Sequence, residues 1–133
     1  MAICNLSDTN IFNVDPMTFI AGSYQKLRFH MYEDDMTTPI PMTGASNIEI
    51  RISLLGQQDW IALTKIGSYE NIDPYNIIII ELVANDTSSL SGKYMFQLVL
   101  TDVKGVIYIP AQGIMTILTQ IQTDISVSTL SKM

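Results

Sequence analysis

The sequence predicts an all-β chain: an antiparallel β-sandwich, immunoglobulin-like or jelly-roll-like, of about seven or eight short strands. Three observations predict it. Apolar residues recur with a period of two along most of the chain, turn residues interrupt them about every ten residues, and no long stretch has helical period. A period of two sends successive side chains to opposite faces of a strand, so one face can be buried while the other meets water.

The first clear strand is YQKLRFHMY, with Leu27, Phe29 and Met31 on one face and Lys26, Arg28 and His30 on the other. EDDMTTPIPMTGA follows as a loop, acidic at first and then punctuated by Pro39, Pro41 and Gly44. NIEIRISLL alternates again, with Ile48, Ile50, Ile52 and Leu54 inward and Glu49, Arg51 and Ser53 outward. Gly56-Gln57-Gln58-Asp59 leads to a shorter strand, WIALTKI, whose Trp60 is expected in the core. GSYENIDPYN is a turn region around Asp73-Pro74. IIIIELV, from Ile77, is continuously apolar, which predicts a central strand buried on both faces.

NDTSSL predicts one helical turn capped by Asn85 or Asp86, whose side chains accept from exposed amides. KYMFQLVLT puts Tyr94, Phe96, Leu98 and Leu100 on one face. DVKG is a hairpin connection with Gly105 placed for positive φ. VIYI and GIMTILTQI are expected as two strands separated by PAQG. Residues 18–119 are thus read as the sandwich, 1–17 as an N-terminal arm and the polar 120–133 as a C-terminal tail. Both ends are candidates for reaching a neighbouring subunit.

Composition bounds the function. A chain of 133 residues fits one core, and an apolar share of 47% suits a folded domain. The charged share of 15% is low against a usual value of about 25%. A surface of uncharged polar residues suits a protein that sits against neighbours. A net charge of −6, with seven scattered basic residues, argues against nucleic acid as a partner. Cys4 is the one cysteine, so no intrachain disulfide forms, and with no base in view it reads as a small apolar residue. MAICNLSDTN lacks the features of a signal peptide, and Ile77 to Ile80 is far too short to span a bilayer. The expectation is a soluble chain made in a cytosol, with no membrane partner. In that setting the sequons at Asn5 and Asn85 read as coincidences.

Chemical motifs are thin. Gly92-Lys93 is the chain's one Gly-Lys pair, but a phosphate loop needs a Gly five positions earlier, a Ser or Thr next and a helix beyond. Here Thr87 and Tyr94 stand in those places and a strand follows, so Gly92 reads as a turn residue. His30 is the single histidine, on the polar face of a strand, without the companions a triad or zinc site needs. Glu33-Asp34-Asp35 offers oxygen ligands but not EF-hand spacing, and reads as a solvated turn. Asp73, Asp86 and Asp102 each fall at a turn or cap, so no carboxylate pair is assigned. Eight methionines read as adaptable packing. The sequence therefore predicts no catalytic residue, no metal site, no cofactor and no enzymatic activity. Trp60 with Tyr24, Tyr32, Tyr69 and Tyr75 is the basis of an alternative, a carbohydrate-binding or adhesin-like module that stacks sugars.

Two stretches resemble a known family. Pro39, Ile40, Thr43, Gly44 and Ala45 match a "Pro-hydrophobe-x-x-Thr-Gly-Ala" step, with Pro41 as a second proline. Thr87, Leu90, Gly92 and Tyr94, then Asp102, Gly105 and Gly113, follow a turn, long strand, Asp-x-x-Gly hairpin and closing strand. Together, over residues 18–119, they resemble the N-terminal β-sandwich of tailed-phage baseplate upper proteins and related virion domains. The resemblance implies a structural virion component, in the baseplate, tail, neck or head. It would be made in the host cytoplasm and assemble with its own copies and other virion proteins through edge strands and termini.

Overall fold

A computed structural model of the chain describes residues 2–5, 12–33, 35–57 and 59–121. Ten strands lie in two facing sheets among these residues. They are β1 (Ala2–Asn5), β2 (Phe12–Asn13), β3 (Met17–Ile20), β4 (Gln25–Tyr32), β5 (Ala45–Leu54), β6 (Ile61–Ile66), β7 (Ser68–Tyr69), β8 (Ile77–Leu82), β9 (Gly92–Asp102) and β10 (Ile107–Leu118). One 3-10 turn (Met42–Gly44) and one helical turn, α1 (Ala84–Thr87), complete the elements.

The smaller sheet has the order β1-β4-β8-β7, and the larger runs β2-β10-β9-β5-β6 with β3 also on β10. From β4 onward this is the strand arrangement of an immunoglobulin-like sandwich. Every pairing among the later strands is antiparallel. The N-terminal strands depart from that rule: β1 runs parallel to β4, and β2 and β3 run parallel to β10. The stretch read as an N-terminal arm thus supplies strands to both sheets. Residues 122–133 of the expected tail lie outside the described residues.

Alternation predicts the core well because it records which side chains face the other sheet. Phe29 and Met31 of β4 with Ile78, Ile80 and Leu82 of β8 meet Ile50, Ile52, Phe96, Leu98, Met115 and Ile117 of the larger sheet, all fully buried. Each such side chain removed from water contributes about 1.5–3 kcal/mol. Phe29 and Phe96 face each other at 6.1 Å between ring centroids, tilted by 52°. Gly113 makes that possible, since a Cβ there would stand 2.9 Å from the Phe96 ring.

Three expectations are corrected. IIIIELV is not buried on both faces: Ile78, Ile80 and Leu82 are buried, while Ile77 and Ile79 are half-buried and Glu81 is exposed. The strand is central in its own sheet, but among the described residues no third layer covers its outer face. VIYI and GIMTILTQI form one 12-residue strand, β10, because the register shift between Tyr108 and Ala111 accommodates Pro110, which has no N–H to donate. Neither Asn85 nor Asp86 is the N-cap of α1. Val83 holds that position, and the Asp86 carboxylate reaches back from the third helical residue to accept from the Val83 amide at 2.7 Å.

Candidate functional site

The sandwich has two ends. One, the hairpin end, gathers loops 33–44, 70–76 and the β9–β10 turn; the other, the helix end, gathers loops 21–24, 55–60, 83–91 and 119–121. This division decides which candidate residues meet. Asp86 precedes β9 and Asp102 closes it, so the 11-residue strand separates them by about 30 Å. Asp73, whose bond to Pro74 is cis, lies in the 70–76 loop. Asp86 therefore stands at the opposite end of the sandwich from Asp73 and Asp102.

Asp102 and Asp35 each have a local task. Asp102 accepts from the amides of Lys104 (2.8 Å) and Val106 (3.0 Å), closing the hairpin in which Gly105 takes φ +84°. Asp35 accepts from the amides of Thr37 (2.9 Å) and Thr38 (2.8 Å). The Thr38 hydroxyl, with those amides, holds the Asp35 carboxyl down to about 2. Asp34, the middle of the acidic run, lies outside the described residues. Among the described residues no group of three His, Cys, Asp or Glu side chains gathers as a metal set.

Gly92 opens β9 at φ +110°, and Lys93 follows within the strand, with no helix beyond it. His30 sits half-buried in β4, and burial first, then the nearby Arg28 charge, lowers its pKa. Arg28 itself pairs with Glu70 at 2.8 Å. Cys4 and Asn5 fall in β1, and Asn85 in α1.

The aromatic residues do not form one platform. Tyr24, ahead of β4, donates to Glu81 at 2.6 Å, and that bond chiefly raises the tyrosine pKa. Tyr32 ends β4, and Tyr69 and Tyr75 pack edge to face at 6.4 Å on the other side of the same sheet. Trp60 is at the helix end of the larger sheet. Its expected place in the core is overturned: it is 60% exposed. It lies in the turn before β6, one residue outside the strand.

Two surface features have the apolar character of contact sites. A cavity of about 310 Å³ opens at the hairpin end between Pro41, Met42, Ala45, Leu100, Asp102 and Tyr108. The second is the β6 edge. β6 is hydrogen-bonded to β5, with Leu63 opposite Ile52, Thr64 opposite Arg51 and Ile66 opposite Glu49. No strand pairs with its other side among the described residues. Ile61 (48% exposed) and Ile66 (61%) flank that edge, with Trp60 just ahead of it. Lys65 is the one charged residue of β6, and its Nζ is held by Asp86 at 2.8 Å. An edge with free backbone donors and acceptors and apolar side chains is a template for another strand. The sequence does not single out this edge, because an aromatic residue at a strand start reads first as core. The one available signal was the weak pattern of WIALTKI, in which apolar residues fall on both faces.

No family model and no curated protein matches the chain. Among solved structures it is similar to the fibronectin(III)-like modules of Clostridium thermocellum CbhA, at 8% identity and a TM-score of 0.42. That alignment covers 91% of this chain and 100% of the other. A likeness at this level carries no functional argument.

Proposed function

We propose that this chain is a non-catalytic structural subunit of a tailed-phage virion, a baseplate or tail adaptor or a head or neck auxiliary protein, packed in several copies through its edges and termini. The observation that supports it most is the β6 edge, unpaired among the described residues, with Ile61 and Ile66 exposed along it. Such an edge is an aggregation hazard in a free protein and an asset in one that is always packed. The turn residues behind the virion-sandwich resemblance also hold turn positions: Gly92 opens β9, and Asp102 and Gly105 close the β9–β10 hairpin. Mass spectrometry of washed phage particles tests the proposal. The chain is expected there in multiple copies, and its absence from intact particles overturns the reading.

A glycan-binding module is the second reading, and the exposure of Trp60 favours it. Stacking a sugar on the indole would change its fluorescence. A saturable change that disappears in Trp60→Ala supports this reading, and a flat response across a glycan panel removes it.

A further inference from the structure

We propose that β6 pairs with β6 of a second copy, antiparallel and about a twofold axis centred on Thr64, joining two six-stranded sheets into one. The proposal rests on the reading of the chain as a multi-copy subunit and names the contact.

The register follows from side-chain direction. In an antiparallel pair, opposite residues point to the same face. Ile50 and Ile52 of β5 face the core, so Glu49, Arg51 and Ser53 face outward, and with them their β6 partners Ile66, Thr64 and Ile61. A twofold axis at Thr64 sets this outward threonine against the partner's Thr64, and inward Leu63 against the partner's Lys65. Between Leu63 and Ile61 the strand carries one extra residue, Ala62, at the register shift between Ile52 and Ser53. With that residue counted out, outward Ile61 meets the outward Ile66 of the partner subunit. One step further, Trp60 stands at the end of the paired segment, opposite the point where the partner's chain leaves β6. The exposed apolar residues of this edge thus complement a second copy of the same edge.

Charge permits the pairing. An inward-pointing lysine is a usual device against edge-to-edge contact. Here the ammonium of Lys65 is already held by Asp86, which leaves its aliphatic stem along the edge. Ile61, Ala62, Leu63, Thr64 and Ile66 bring no charge of their own. A six-residue edge with one flanking indole covers less than the roughly 1,200–2,000 Å² of a stable interface. The contact is therefore weak and reversible in solution, and a particle's other contacts strengthen it by raising local concentration.

Single cysteines test the register in a Cys4→Ser background. Opposite residues place their Cβ atoms about 4.5–5.5 Å apart, close to disulfide range. Thr64→Cys is expected to form a disulfide dimer under mild oxidation. Ile66→Cys is expected not to, being several residues from its symmetry mate, while Ile61→Cys/Ile66→Cys cross-links. Thr64→Lys, which sets like charges directly opposite while leaving the monomer's circular dichroism unchanged, should weaken self-association by about tenfold or more. Equal cross-linking of Thr64→Cys and Ile66→Cys, or association unchanged by Thr64→Lys, overturns the proposal. So does a wild-type chain that sediments as a monomer at about 1 mM. None of these failures touches the virion reading, which is judged by the content of washed particles.

Discussion

Lys65, on the edge strand of the larger sheet, and Asp86, on the helical turn that follows β8 in the smaller, are joined at 2.8 Å. This ion pair bridges the two sheets. It ties together the stability of the sandwich and the chemistry of its open edge.

Asp86 should therefore be a measurable contributor to stability with a defined pH dependence. Burial pushes its pKa up, but the Lys65 hydrogen bond, the Val83 amide and the Lys65 charge outweigh it and leave the value lowered. A lowered folded pKa means that the stabilisation is complete above the unfolded value near 4 and disappears as pH falls through the folded value. Asp86→Asn is expected to cost about 1–2 kcal/mol in urea unfolding at pH 7. The difference from wild type should shrink towards zero as the acid limb is descended.

Gly67 carries the chain from one sheet to the other and has no room for a side chain. A Cβ there would meet the Ile80 side chain closely and stand 2.6 Å from the Ile79 carbonyl oxygen. Gly67→Ala should destabilise by about 1–3 kcal/mol, because a backbone oxygen cannot swing aside as a side-chain terminus does. Gly44→Ala is the control. Nothing lies within 4 Å of that position, and its melting temperature should match wild type.

The β9–β10 hairpin depends on Asp102. Its carboxylate satisfies two amides of the turn, and the Ser46 hydroxyl donates to the Thr101 and Asp102 carbonyls at 3.1 and 2.9 Å. Asp102→Ala should cost about 1 kcal/mol. Amide exchange at Lys104 and Val106 should accelerate by more than exchange in the core of β9, locating the loss in the turn.

Trp60 reports on the edge directly. Exposed as it is, its emission should be that of a hydrated indole and should be quenched readily by acrylamide. Quenching is expected to fall as protein concentration rises, because pairing brings the indole beside the partner's strand end. A quenching constant independent of concentration, in a sample that self-associates, would place the contact elsewhere.

The strands that were easiest to read are those that face one neighbouring sheet and one solvent. β4, β5 and β9 alternate in sequence and their inward residues are the core, although Ser53 and Val99 on the outward face are also buried. The Asp102–Gly105 turn was legible for a similar reason, since a carboxylate two residues before an amide and a glycine at positive φ settle a turn locally. β8 and β10 were harder. Four consecutive isoleucines conceal which face is buried, and Pro110 looks like a strand break until a bulge absorbs it.

The sandwich, the inward faces of β4, β5 and β9 and the Asp102–Gly105 turn were legible in the sequence, because side-chain direction and turn geometry are properties of a few adjacent residues. Partners and edges were decided only by the tertiary structure. That β1, β2 and β3 run parallel to strands far along the chain, and that among the described residues β6 has a neighbour on one side only, depends on what packs beside each strand. Alternation states which face a residue occupies and says nothing about which strand lies next. Trp60 shows the consequence: an aromatic residue at a strand start belongs to the core in the middle of a sheet and to the surface at its edge.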